Sequence, residues 1–215
     1  MTLEADVYWS FRSPYSYLAT RRYVALARDY DLRINQRFVY PLAIREPDFF
    51  EQSNPNWFRY VFKDIFRIAQ YMDIPLAPPN PDPIVQDIRT RKISEDQPYI
   101  YLLTRMGQAA SRRGKGLAFA DEVSRLIWGG VKDWHTGDHL AGAAQRAGMD
   151  FAELKSEAES QAEELDKEIA ENQQALEAAG HWGVPTLVFE GEPFFGQDRI
   201  DLALWRMEQQ GLQKR

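Results

Sequence analysis

Three short segments carry residues whose types and spacing could do chemistry. The first is Ser13-Pro14-Tyr15-Ser16, between a strand-like run and a helix-like one. A serine followed by proline opens a helix: the hydroxyl caps free N–H groups, and proline at the first helical position has its φ already set. The same place favours an anion by about 0.3–1 kcal/mol, because unpaired N–H groups and the positive end of the helix dipole meet there. Ser13 is therefore either a plain cap or a donor to a bound anion, and both readings stay open. The second segment is Gly183-Val184-Pro185-Thr186, at the start of a strand-like run. A proline there removes one N–H from the ladder and restricts the residue before it. In the cis isomer it would leave the Val184 backbone free to pair with an extended ligand. The third is Gly196-Gln197-Asp198-Arg199. Asp198 can cap the last helix or, with Arg199, hold a zwitterionic amino-acid group, carboxylate against amine and guanidinium against acid.

The histidines give weaker signals. His135 and His139 are four apart with Asp138 between them, a spacing that can place two metal ligands on one helix face. Gly137 interrupts that turn and Asp138 reads as an N-cap, so no metal site is expected. His181 precedes Trp182 beside the Pro185 segment, where it could line a pocket.

The elements that must position these residues follow from periodicity. Residues 5–11 (ADVYWSF) are aromatic and β-branched and read as a strand. Tyr15, Leu18, Ala19, Tyr23, Leu26 and Ala27 then recur at helical spacing. Residues 32–40 alternate as a second strand, and a βαβ crossover makes the two strands parallel. The middle of the chain is helical in pattern: 57–72, strongly aromatic; 84–103; 116–128; and a helix opened by Asp138 and ended by Gly148. Residues 75–83 (PLAPPNPDP) are too proline-rich for a helix. Asp150 and Glu153 form a capping box for the next helix, and the densely acidic 156–179 reads as a long surface helix. Residues 186–189 and 193–195 flank the turn signal Glu190-Gly191-Glu192, and Asp198 opens a last amphipathic helix. The order is β-α-β, a helical block, then β-β-α. A βαβ half and a ββα half sharing one sheet make an α/β, thioredoxin-like fold with a large all-helical insertion. Its parts are 1–40 as the first half, 41–180 as the insertion with its connecting helices, and 181–215 as the second half.

Composition excludes several classes. The chain has 215 residues, 44% hydrophobic, enough for a sizeable core. It has no cysteine, which rules out disulfides, thiolate metal sites, a cysteine nucleophile and CxxC redox chemistry. Net charge is −6, and the two short basic clusters, Arg89/Arg91/Lys92 and Arg112/Arg113/Lys115, read as solvated helix ends or loops, so nucleic acid is not an expected partner. No apolar run approaches the roughly 18–20 residues of a membrane span. The N-terminus, Met1 to Asp6, lacks the pattern of a secretory leader, which points to the cytoplasm.

Taken together, Ser13-Pro14-Tyr15-Ser16-Tyr17-Leu18, Gly183-Val184-Pro185-Thr186 and Phe195-Gly196-Gln197-Asp198-Arg199 resemble the 2-hydroxychromene-2-carboxylate isomerases and their relatives, the kappa-class glutathione transferases. The resemblance spans nearly the whole chain and includes Asp64-Ile65-Phe66-Arg67-Ile68-Ala69 followed by Ile74-Pro75-Leu76. It implies a DsbA-like scaffold in which Ser13 and Ser16 stand where relatives carry CxxC, with glutathione supplying the sulfur. Ser13 would hydrogen-bond the glutathione thiolate, Val184 before Pro185 would pair with its cysteinyl backbone, and Asp198 with Arg199 would grip the γ-glutamyl end. Trp57 stands where the family usually has a lysine for the glycyl end; Asn54, Asn56 or Arg59 would have to take its place. Phe11-Arg12 also departs from the family pattern and points to a changed acceptor. The expected activity is a glutathione-dependent isomerisation of an aromatic or unsaturated oxo or hemiketal acid. A kappa-like transferase and a non-catalytic thioredoxin-like binding module are the alternatives. Relatives imply a possible homodimer.

Overall fold

The computed structural model describes residues 2–87 and 89–215. Strand β1 (Leu3–Trp9) leads into helix α1 (Pro14–Asp29) and strand β2 (Leu32–Phe38). Eight helices follow: α2 (Leu42–Arg45), α3 (Phe49–Gln52), α4 (Pro55–Tyr71), α5 (Ile100–Arg112), α6 (Gly116–Trp128), α7 (His139–Arg146), α8 (Phe151–Ser160) and α9 (Ala162–Ala178). The chain then returns to the sheet as β3 (Thr186–Phe189) and β4 (Glu192–Phe195), and ends in a 3-10 turn (Gln197–Arg199) and α10 (Ile200–Gln209). The sheet order is β2-β1-β3-β4. β1 pairs in parallel with β2, from Leu3 opposite Leu32 to Trp9 opposite Phe38, and antiparallel with β3. Glu190 and Gly191 join β3 to β4 with positive φ at both positions, as a two-residue hairpin turn requires.

The core lies between the sheet and the helices that cover it. Phe11 stacks on Phe38 at 5.3 Å, Trp9 meets both rings edge-on, and Phe119 closes the cluster. Trp128 Nε1 donates to the Phe11 carbonyl at 2.9 Å, tying α6 to the end of β1. Helix α5 comes close enough to β2 that a Cβ on Gly107 would sit 2.8 Å from the Phe38 ring. Only glycine allows that approach.

Two predicted helices are corrected. Between 84 and 103 the helix begins only at Ile100. Upstream, side chains take over the backbone groups: Gln97 accepts from Val85 N–H at 2.8 Å and donates to its carbonyl at 2.9 Å, and Asp82 accepts from Ile84 N–H. Pro98 also blocks helix through that point. Ile88, inside this stretch, and Met1, in the N-terminal reading, lie outside the described residues. The acidic stretch 156–179 is two helices with a break at Gln161, and the second is no mere surface element. Leu165, Ile169, Asn172 and Leu176 form a buried stripe on α9, and Asn172 donates to the Phe38 carbonyl and to Gln108, each at 3.0 Å. The acidic face of these helices meets Arg112, which pairs with Glu157, Glu164 and Glu168; that cluster is an inter-helix clamp rather than a solvated end. Asp150 caps α8 by accepting from Glu153 N–H, whereas Asp138 stands at the start of α7 without a capping hydrogen bond.

Candidate active site

Ser13 sits where β1 has ended and α1 begins. Its Oγ accepts from Ser16 N–H at 3.1 Å, which is the N-cap bond, and donates to the Val184 carbonyl at 3.2 Å. One hydroxyl thus joins the helix N-terminus to the loop before β3. The Val184–Pro185 peptide is cis. Among the described residues no backbone carbonyl accepts from the Val184 N–H. The loop around it is held by three bonds: Thr186 Oγ1 to the Gly183 carbonyl at 2.7 Å, Gly183 N–H to His181 Nδ1 at 2.8 Å, and Gly196 N–H to the Pro185 carbonyl at 2.9 Å. The last of these attaches the Asp198–Arg199 turn to the same loop. Asp198 caps no helix; its carboxylate pairs with the guanidinium of Arg199 at 2.8 Å, and both side chains are exposed.

Ser13, Val184, Pro185, Asp198 and Arg199 line one cavity of about 880 Å³. The opposite wall is α4, which turns Trp57, Phe58, Val61, Phe62 and Phe66 toward it. Trp57 and Trp182 both pack on Phe49, at 5.6 and 5.9 Å, so an aromatic cluster joins the two rims. Asn54 is not brought to this cavity. Its side chain accepts from Asn56 N–H at 2.9 Å as the cap of α4, and it lines a separate shallow depression with Arg89 and Arg91. Ser16 is fully buried, and among the described residues its Oγ has no partner.

Several polar groups of the cavity are held by neighbours. Tyr15 donates to Asp64 at 2.9 Å; burial and that carboxylate push its phenol upward, so it stays protonated at neutral pH. Arg45 is half-buried, and desolvation lowers its pKa. Its donors go to the carbonyls of Tyr40 and Trp182, at 2.8 and 3.0 Å. Arg12 faces Asp82 at 2.5 Å. His181 lies stacked on Phe195 at 4.0 Å, and burial lowers its pKa. Sequence reading missed Asp82, Arg45 and Trp182 as wall residues. Asp82 and Arg45 reach the cavity only through tertiary folding, while the neighbouring motif was the available signal for Trp182.

The profile described as a DSBA-like thioredoxin domain matches residues 4–207. The chain belongs to that family. Its fold is similar to a solved 2-hydroxychromene-2-carboxylate isomerase, with a TM-score of 0.71, 23% identity, and coverage of 96% of this chain and 95% of that one. It is also similar to the cytosolic disulfide reductase DsbM from Pseudomonas aeruginosa, with a TM-score of 0.61, 16% identity, and coverage of 97% and 99%. A second structure of that reductase, solved with GSH, aligns at a TM-score of 0.57 with 16% identity over 97% of this chain and 100% of that one. No curated protein gave a significant match. Unlike a disulfide-exchanging member, this DsbA-like domain carries no thiol. Among the described residues no helix is long and apolar enough to cross a membrane, and no three His, Asp or Glu side chains are grouped to hold a metal.

Proposed function

We propose that this DsbA-like protein is a cytoplasmic glutathione-dependent isomerase acting on an aromatic or unsaturated oxo or hemiketal carboxylic acid. The observation that carries the reading is the convergence of Ser13, the Val184 backbone and the Asp198–Arg199 pair on one cavity. These groups fit glutathione chemically. An extended peptide can pair with the unpartnered Val184 N–H, and a zwitterionic γ-glutamyl end can exchange with the Asp198–Arg199 ion pair. When bound, glutathione would supply a thiolate nucleophile to this site. Ser13 would hold the sulfur as an anion by turning its hydroxyl proton away from the Val184 carbonyl, at the positive end of a sixteen-residue helix. The aromatic side chains of α4 exclude water and wall the acceptor. The GSH-bound structure of a same-fold reductase supports the choice of thiol. The specific observation on the other side is Trp57, an apolar residue where the resemblance expects a lysine. Asn54 caps α4 and stands outside this site.

Calorimetric titration with reduced glutathione tests the reading. Saturable binding is expected for the protein, about tenfold or more weakened in Asp198→Ala, which removes a charge-assisted contact. Ser13→Ala should bind glutathione while losing the thiolate absorbance near neutral pH. A sulfur-free product identifies an isomerase, and a sulfur-retaining adduct a transferase. Absence of binding at millimolar glutathione would leave the binding-module reading in its place.

A further inference from the structure

Arg12 immediately precedes Ser13 and lines the same cavity. Its guanidinium is fixed on two sides. Asp82 Oδ1 lies 2.5 Å from the buried Nε, and the Trp128 ring lies beneath, 5.9 Å from ring centre to Cζ. Asp82 is itself held, because the same oxygen accepts from Ile84 N–H at 2.9 Å. The contact with Asp82 is an ion pair without hydrogen-bond geometry, and among the described residues Arg12 donates no hydrogen bond from any of its nitrogens. Arg12 is 29% exposed and lines the cavity, so its guanidinium donors are available to a ligand there. A planar, oriented fork with both outer donors free matches a carboxylate in bidentate geometry. The cavity's other half-buried cation, Arg45, spends donors on the Tyr40 and Trp182 carbonyls, and Arg199 is paired to Asp198.

We infer that Arg12 is the receptor for the acceptor's carboxylate. Asp82 and Trp128 serve as its positioning residues, and the substrate's unsaturated or ring portion lies along the aromatic face of α4. The arrangement sets the acid group beside the Ser13 end of the cavity and makes Arg12 the residue that selects acids over neutral analogues. The inference rests on the isomerase reading for the reaction that follows, but binding of the acid needs no glutathione.

The test therefore omits glutathione. trans-Cinnamate and cinnamamide, which share a ring and a double bond and differ in charge, are titrated separately against tryptophan fluorescence. The protein as it stands should prefer the acid by about ten- to a hundredfold, the worth of hydrogen bonds to a charged group. Arg12→Gln should bring the two ligands to equal affinity while leaving cinnamamide binding unchanged, which also shows that the variant's cavity is folded. Arg12→Lys, which keeps the charge without the fork, should restore only a small part of the preference. An acid preference that survives in Arg12→Gln, or no cinnamate binding by the parent protein at millimolar concentration, would overturn the assignment. Glutathione binding is unaffected by either outcome, so failure here and failure of the isomerase reading are separable.

Discussion

The molecule is rich in aromatic residues both in the core behind Ser13 and on α4 across the cavity, yet the two sets of rings do different work. Behind Ser13 the end of β1 and its neighbours are packed on every side: Trp9, Phe11, Phe38 and Phe119 are all essentially buried and touch one another. Across the cavity, α4 carries an equally apolar face, but only Ile65 and Ala69 are buried; Phe62 is 56% exposed and Trp57 41%. A ring closed in on both faces fixes the position of the backbone that carries the chemistry. A ring with one face open does little for the fold and shapes what can enter.

The sharpest way to break that comparison is one phenylalanine from the core behind Ser13 and one from α4. Phe38→Ala should cost about 3–5 kcal/mol of stability, because it removes a fully buried ring and leaves a cavity the close-packed α5 cannot fill. Phe62→Ala should cost less than about 1 kcal/mol and should act instead on the affinity for the unsaturated acid. Urea unfolding of the two variants reads the difference directly. Similar losses at both positions would mean that α4 belongs to the core and the cavity wall is rigid throughout.

A smaller effect separates the two serines of the α1 opening. Ser13 uses its hydroxyl twice, as acceptor from Ser16 N–H and donor to Val184. Ser16 Oγ is buried with no partner among the described residues. Ser13→Ala should lose about 1 kcal/mol, the worth of an N-cap. Ser16→Ala should lose nothing, and should gain up to about 1 kcal/mol by deleting an unsatisfied buried hydroxyl. Thermal midpoints of the two single variants check this, and a costly Ser16→Ala would reveal a partner for that oxygen, such as a bound water.

The same contrast explains what could be read in the sequence. β1, α1, β2 and the final hairpin were legible because each is local: alternating residues, a Ser-Pro helix opening, a Glu-Gly turn. Ser13, Val184 and Asp198 sit at fixed points of those elements, so their convergence followed from the topology. The stretch before Ile100 misled because its apolar residues keep helical spacing, while the bonds that decide its shape come from Gln97 folding back on Val85. The buried stripe of α9 was hidden for the opposite reason, with its four apolar or amide positions diluted among acidic residues that belong to Arg112. Arg12 could be singled out as unusual, but its pairing with Asp82 is a tertiary fact that no local spacing encodes.

The mildest effect belongs to the loop ahead of Val184. His181 is sandwiched against Phe195 and stacked toward Trp182, and its Nδ1 accepts the Gly183 N–H that shapes the loop ahead of Val184. Loss of solvent between the rings lowers its pKa below the ordinary value of about 6.5. The sign follows from proton binding. Below about 6.5 the unfolded chain takes up a proton that the folded chain resists, so this group's contribution to stability is fully present above that pH and falls as the pH drops toward the lower folded value. An imidazolium also has no lone pair for Gly183, so the loop carrying Val184 should loosen over the same interval. The expected result is that the stability difference between the parent protein and His181→Phe narrows from pH 7.5 to pH 5.5, with the acid groups common to both cancelling in the subtraction. A difference independent of pH would mean that the ring can protonate without leaving its stack, and that the aromatic packing alone positions the loop on which Val184 depends.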